Sequence, residues 1–297
     1  MIDYDYFKPK DLGEAFSLLA EHGSKAALIA GGTDVMVLAK LSNRSPDVLI
    51  SLRGLDDLRY IQKKKDYHIG ALTTHRMLET SPLIQKELAA LYQGAAQVGS
   101  VQVRNVATIG GNICNAAPSA DTAGPLLILD AVLVLKSDNQ ERKVPMLEFF
   151  VGPSETVKAK DEILTEVIIP GHMSRYGSAY DKHARRKAMN LPIVGVAVGL
   201  SLTEEGTIAD ARIALTVAAP TPIRVFEAED FLRGKPLTDD IFKEAGLIAS
   251  SPECCSPRDR LLCEGWYRED MVRVLIPRVA KAAASDAKKK NEQFRNT

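Results

Sequence analysis

Aromatic residues make up only 6% of this 297-residue chain, and there is a single tryptophan. That scarcity leaves no platform on which nucleic-acid bases could stack. Neither charge sign is in excess: Lys plus Arg number 38 and so do Asp plus Glu. A balanced chain lacks the global field that draws nucleic acid or an anionic membrane. Four cysteines, at 114, 254, 255 and 263, show neither Cys-x-x-Cys spacing nor a neighbouring histidine pair. A structural zinc site or an iron–sulfur cluster within the chain is therefore not expected. The five histidines, at 22, 68, 75, 172 and 183, are scattered without metal-ligand spacing, so no metal site is expected either. The N-terminus has no basic start or apolar signal core, and no run approaches the roughly 20 apolar residues of a membrane helix. The expectation is a cytoplasmic protein with reduced thiols.

Common active-site fingerprints are missing too. There is no Gly-x-x-x-x-Gly-Lys-Ser/Thr, no Gly-x-Gly-x-x-Gly after a strand, no Gly-x-Ser-x-Gly and no His-Glu-x-x-His.

Hydrophobic content of 45% is ample for a core, and the length predicts two or three domains. Residues 9–22 carry a helical apolar face that Gly23 ends. Ala26–Ala30 reads as a strand running into Gly31-Gly32, and Val35–Leu41 as a short helix or turn. Strands are expected at 48–51, 67–69, 131–136 and 163–169, with helices at 73–80 and 83–98. Beyond Pro170-Gly171, strands at 193–200 and 208–217 flank the polar turn Thr203–Gly206, as in a hairpin. Helical patterns at 222–232, 239–249 and 266–284 follow, giving a strand-then-helix domain of α+β character. The predicted division is 1–172 as two lobes (about 1–57 and 58–172), 173–285 as the α+β domain, and 286–297 as a charged, solvated tail.

What the sequence does have is glycine with asparagine. Residues 104–125 hold three glycines, two prolines and three asparagines among small and hydroxylated residues. Ala30-Gly31-Gly32-Thr33-Asp34 has the same character after its apolar run. A strand, a glycine loop and a helix start can receive an anion, because free backbone N–H groups face the ligand. Each Gly-Gly pair alone is equally a tight turn. Together, and with Asn112, Asn115 and Asp121 close behind, they read as a cradle for an extended, phosphate-bearing ligand. A carboxylate such as Asp121 suits a ribityl or ribose hydroxyl. The combination fits a flavin dinucleotide better than a nucleoside triphosphate, which brings Mg²⁺ and a lysine.

Ala30-Gly-Gly-Thr-Asp34 with Lys40, and Arg104-Asn-Val-Ala-Thr-Ile-Gly-Gly-Asn112 through Pro118-x-x-Asp121, resemble the two FAD-binding signatures of the molybdenum hydroxylase flavoproteins. These are the medium subunits of xanthine, nicotinate, carbon monoxide and 4-hydroxybenzoyl-CoA dehydrogenases or reductases. Ser178-Ala-Tyr180-x-Lys182-x-x-Arg185 before an apolar strand resembles the start of their C-terminal domain. The resemblance implies a two-lobed PCMH-type FAD-binding domain followed by a CO-dehydrogenase-flavoprotein-like α+β domain. It implies that Ile29, Ala30, Gly31, Gly32, Thr33, Asp34 and Val35 wrap the pyrophosphate. Thr108, Gly110, Gly111, Asn112, Asn115 and Asp121 would meet phosphate and ribityl groups, with Cys114 lining the same turn. Leu164 matches the residue whose backbone meets the pyrimidine edge of the flavin, Leu191 the apolar residue near N5, and Val98 a residue near the adenine end. Lys182, Arg185 or Lys187 would stabilise negative charge on the reduced ring, the alternative being a solvated basic face. The extra iron–sulfur insertion of the 4-hydroxybenzoyl-CoA branch is missing, and Asn190 stands where the family has an acidic residue.

The implied function is electron transfer through FAD within a heteromeric complex, a dimer of heteromers. A large subunit would carry molybdopterin and a small one [2Fe-2S] clusters, with NAD(P) as acceptor and an N-heterocycle such as nicotinate or xanthine as substrate. A stand-alone flavin dehydrogenase and a non-catalytic scaffold are the alternative classes.

Overall fold

The computed structural model describes residues 4–41, 46–186, 188–259 and 263–295. The first lobe is a three-stranded parallel sheet of β1 (Asp5–Phe7), β2 (Ala26–Ile29) and β3 (Val48–Ser51), in the order β1-β3-β2. Its crossovers are α1 (Leu12–His22) and α2 (Val35–Leu41). Asp11 caps α1 by accepting from Glu14 N at 2.9 Å, while Glu14 accepts from Lys10 N at 2.7 Å. Ala15 and Leu19 bury the inner face of that helix against Val48, Ile50 and Leu52.

The second lobe is a five-stranded antiparallel sheet. Its strands are β4 (Ile61–Lys63), β5 (Tyr67–Gly70), β6 (Val132–Lys136), β7 (Glu141–Pro145) and β10 (Ile163–Ile169), with a small hairpin of β8 (Phe150–Gly152) and β9 (Glu155–Thr156) inserted before the last. The order is β4-β5-β10-β6-β7, so the strand latest in sequence lies at the centre. Six short helices fill the connection from β5 to β6: α3 (His75–Thr80), α4 (Pro82–Glu87), α5 (Ala89–Ala96), α6 (Val101–Val106), α7 (Ile109–Cys114) and α8 (Ala123–Ile128). The single helix expected over 83–98 is thus broken at Leu88, whose non-helical backbone (φ −128°, ψ 58°) lets its side chain bury completely. The stretch 104–125, expected as loop, is mostly short helix, because Ser100 and Thr108 each cap a helix start with their hydroxyls.

The C-terminal domain is an antiparallel meander of β11 (Gly177–His183), β12 (Val194–Leu202), β13 (Ile208–Thr216) and β14 (Ile223–Arg224). One face carries α9 (Phe226–Leu232), α10 (Asp239–Ala249) and α11 (Gly265–Arg295). The sequence Val194-Gly-Val-Ala-Val-Gly-Leu200 explains the sandwich. Strand side chains alternate faces, so the large residues enter the core beneath the helices while Ala197 joins the core of the second lobe. Gly124 of α8 lies against Ala197 and Thr216 on that face.

The predicted tail is corrected. Residues 286–295 continue α11, and Lys290 is 6% exposed, donating to the carbonyls of Glu87 at 2.9 Å and Tyr176 at 2.8 Å. A lysine whose ammonium caps two buried carbonyls ties the helix end to the second lobe. Positions 296 and 297 lie outside the described residues. Among the described residues no helix is long and apolar enough to cross a membrane.

Candidate functional site

Both glycine loops open onto one cavity of about 690 Å³ between the two lobes and the β11–β12 connection. That size suits a cofactor-sized ligand. The first loop leaves the end of β2. Ala30, Gly31, Gly32, Thr33, Asp34 and Val35 all line the cavity, whereas Ile29 is buried beneath them, with its side chain under Gly32. Gly32 has a φ of +74°, a left-handed turn that a β-carbon disfavours.

The second loop folds back over the first. A β-carbon on Gly31 would lie 2.3 Å from the Val106 carbonyl oxygen, and one on Gly110 would lie 2.7 Å from Ala71 Cβ. These two glycines therefore serve contact between protein segments. Gly111 differs: the atoms nearest an added β-carbon are Thr108 Oγ1 at 3.0 Å and Ala30 Cβ at 3.9 Å. It lines the cavity facing the first loop.

Thr108, Asn112, Cys114 and Asn115 also line the cavity. Thr108 Oγ1 accepts from Gly111 N at 3.1 Å, leaving its hydroxyl hydrogen to donate. Asn112 Oδ1 accepts from Thr122 Oγ1 at 2.6 Å, which turns its amide NH₂ outward as a donor. Burial pushes the Cys114 thiol up to about 11, with Lys158 opposing, so it is a neutral lining group.

Asp121 is 7% exposed and both its oxygens are engaged. Oδ1 accepts from the Tyr180 hydroxyl at 2.8 Å and Oδ2 from Lys182 Nζ at 2.7 Å. Burial raises the carboxyl's pKa, against the pull of Lys182 and the two hydrogen bonds. Lys182 also donates to the carbonyls of Gln97 at 2.9 Å and Asn190 at 3.2 Å, so its three N–H groups are used. It stands behind Asp121 and does not line the cavity. The expected role of Lys182 beside a reduced ring is corrected accordingly. Arg185 lines a separate, more open cavity with His183, Trp266 and Tyr267. Lys187 lies outside the described residues.

Leu164, Leu191 and Val98 line the cavity too. Leu164 precedes a bulge in β10, where the register with β6 shifts between Leu164 and Glu166, a device that re-aims backbone groups. Val98 adjoins Gly99, whose carbonyl accepts from Met189 N at 3.2 Å. That bond brings the segments carrying Val98 and Leu191 together at the cavity wall.

Sequence reasoning passed over three lining groups. Lys158 and Lys160 are the only basic chains besides His75 among the lining residues described. Lys158 Nζ is anchored on the carbonyls of Ala159 at 2.8 Å and Glu162 at 3.0 Å. The signal that could have found them is the Lys-x-Lys pair just before the strand at 163–169. His75 is fully buried, and neither ring nitrogen has a hydrogen-bond partner. Burial, reinforced by the charge of Arg104, pushes its imidazole down to about 4. A lone histidine in a helical pattern carries no signal that would have found it. No cluster of metal-ligating side chains occurs among the described residues.

Comparison with known proteins gives this arrangement its context. Residues 2–172 match the family model of the FAD binding domain in molybdopterin dehydrogenase, and residues 178–283 that of the CO dehydrogenase flavoprotein C-terminal domain. A xanthine dehydrogenase FAD-binding subunit from Escherichia coli is 34% identical over 97% of this chain and 98% of its own. A nicotinate dehydrogenase FAD-subunit from Eubacterium barkeri is 35% identical over 80% of this chain and 82% of its own. In solved structures, carbon monoxide dehydrogenase from Hydrogenophaga pseudoflava contains a chain that superposes with a TM-score of 0.91 at 33% identity, covering 96% of this chain and 98% of that one. The cavity, its paired glycine loops and both matched domains place this chain in the family of FAD-binding medium subunits of the molybdenum-containing dehydrogenases.

Proposed function

We propose that the chain holds one extended FAD in the cavity between its lobes and serves as the flavin relay of a heteromeric molybdenum hydroxylase. The observation that carries this reading is the cavity of about 690 Å³ into which both glycine loops open within the matched FAD-binding domain. The donor set fits the group. The amides of Gly31 through Asp34 supply neutral N–H donors for a pyrophosphate, with Lys158 and Lys160 as nearby cations. The Thr108 hydroxyl and the Asn112 and Asn115 side chains supply donors for phosphate and ribityl oxygens, and Asp121 retains lone pairs for a ribityl hydroxyl. The Leu164 backbone and the Leu191 side chain would meet the flavin, and Val98 would lie near the adenine end.

When bound, FAD supplies chemistry that joins single-electron carriers to a hydride acceptor. The chain's own residues bind and orient it. The lobes exclude water from its phosphates, and the buried Lys182–Asp121–Tyr180 group fixes the C-terminal domain against the cavity. The reading extends to a molybdopterin-bearing large subunit and a [2Fe-2S] small subunit as electron source, with NAD(P)⁺ as acceptor, in a doubled complex. The substrate would be an N-heterocycle of the xanthine or nicotinate kind, bound on the large subunit.

The purified chain should show a flavin absorption spectrum and release FAD, not FMN, on heating. A colourless protein that takes up no FAD would overturn the reading. Co-purification with molybdenum and iron would support the complex over a stand-alone flavin dehydrogenase, and comparing NADH with NADPH as reductant of the bound flavin would name the acceptor.

A further inference from the structure

The C-terminal ends of β2 and β3 run side by side, with Ile29 opposite Ser51. Two residues beyond each end, Arg53 meets the first glycine loop. Its Nε donates to the Ala30 carbonyl at 2.8 Å and its Nη2 to the Gly31 carbonyl at 2.7 Å. Both peptides are trans, and in a planar trans peptide the C=O and the following N–H point in opposite directions. Holding the carbonyls of Ala30 and Gly31 on the Arg53 side therefore turns the N–H groups of Gly31 and Gly32 to the other side. Gly31 and Gly32 both line the cavity, and Arg53 does not.

We propose that Arg53 is a positioning residue for the cofactor's pyrophosphate: its planar fork fixes two successive peptide planes so that their amides face the phosphates. The inference rests on FAD occupying the cavity. A fork of fixed geometry suits the task, because one guanidinium engages both carbonyls at once where an ammonium acts as a point charge. The flexibility of the glycines makes the device necessary. Gly31 is small to let Val106 approach, and Gly32 takes a left-handed turn, so neither has a side chain to hold its own peptide plane. The guanidinium also places a fixed positive charge behind the amides, which adds to the potential felt by an anion in front of them.

The test uses the full-length chain stripped of FAD. FAD and ADP, the latter as a pyrophosphate probe without the flavin, are titrated into the wild type, Arg53→Gln and Arg53→Lys. Loss of charge-assisted hydrogen bonds that orient both donors should weaken FAD by about 10- to 100-fold in Arg53→Gln. ADP should weaken in parallel, and the two ³¹P resonances of bound FAD should shift. Arg53→Lys keeps the charge but can hold only one plane, so it should fall between. Thermal unfolding of the FAD-free proteins reports whether Arg53→Gln retains the fold; if it does not, the lysine variant decides. Wild-type affinity with unshifted ³¹P resonances in a folded Arg53→Gln, or full affinity in Arg53→Lys, overturns the assignment. A wild type that binds no FAD sinks the cofactor reading itself, before any variant is compared.

Discussion

Each glycine loop carries one carboxylate, and the two carboxylates live in different surroundings. Asp34, in the first loop, is exposed, and its carboxylate receives a hydrogen bond of 3.4 Å from the neighbouring Thr33 hydroxyl. Asp121, at the end of the second, is buried and joins the Tyr180 hydroxyl to the Lys182 ammonium across the boundary between the domains. The first loop is shaped by its glycines and held at its backbone by Arg53 from the solvent side. The second is shaped by hydroxyl caps on short helices and anchored by side chains from another domain. Residues of the same chemistry, drawn to one cavity, thus differ in what they support: one lines the cavity and faces water, the other also holds the molecule together.

The sharpest way to break this comparison is Asp121→Ala. It strands the Lys182 ammonium and the Tyr180 hydroxyl in a buried site, so stability should fall by about 3–5 kcal/mol. Denaturant unfolding of the FAD-free chain measures it, and a loss confined to FAD affinity would show that Asp121 serves the ligand alone.

His75, under the second loop, gives the next largest effect. The unfolded histidine protonates near 6.5 and the folded one near about 4. Below pH 6.5 the unfolded chain therefore binds the extra proton, and stability drops as pH falls from about 6.5 to 4. The full difference is about 3 kcal/mol. Arg104, which adds to the depression, is paired with Glu79 at 2.9 Å. His75→Leu should flatten the difference in thermal stability between pH 7 and pH 4.5, and an unchanged slope would refute a buried neutral imidazole.

Gly111→Val tests the face that the two loops share. The added side chain crowds Thr108 Oγ1 and enters the cavity, so the Kd for FAD should rise at least about tenfold. Flavin fluorescence titration reads this, and unchanged binding would take Gly111 out of the cradle. The smallest effect is expected at Asp34→Asn, which keeps a polar group at the start of α2. Stability should stay within about 0.5 kcal/mol, in direct contrast to Asp121→Ala under the same unfolding assay.

Much of the architecture was legible because it depends on local pattern. Apolar runs ending in glycine marked β2 and β5, and an apolar run before a polar turn marked β12. Leu88 was not legible, since only the surrounding core rewards breaking a good helical sequence there. The lysines at 288–290 read as tail because three adjacent charges favour water. The carbonyls that capture Lys290 come from positions 87 and 176, far away in the chain.

The sequence by itself determined that two glycine-rich stretches with asparagine and aspartate exist, that the first follows a short strand, and that a strand-then-helix domain comes after them. Those features follow from backbone freedom, capping chemistry and side-chain period, all of which act between near neighbours. Only the tertiary structure decided which glycines face the cavity and which accommodate another segment. It also decided that Lys182 neutralises Asp121, that Met189 bonds to Gly99 beside Val98, and that Arg53 grips the first loop. Each of these depends on atoms brought together from distant parts of the chain, and a hydrogen bond or a close contact is set by distance in space.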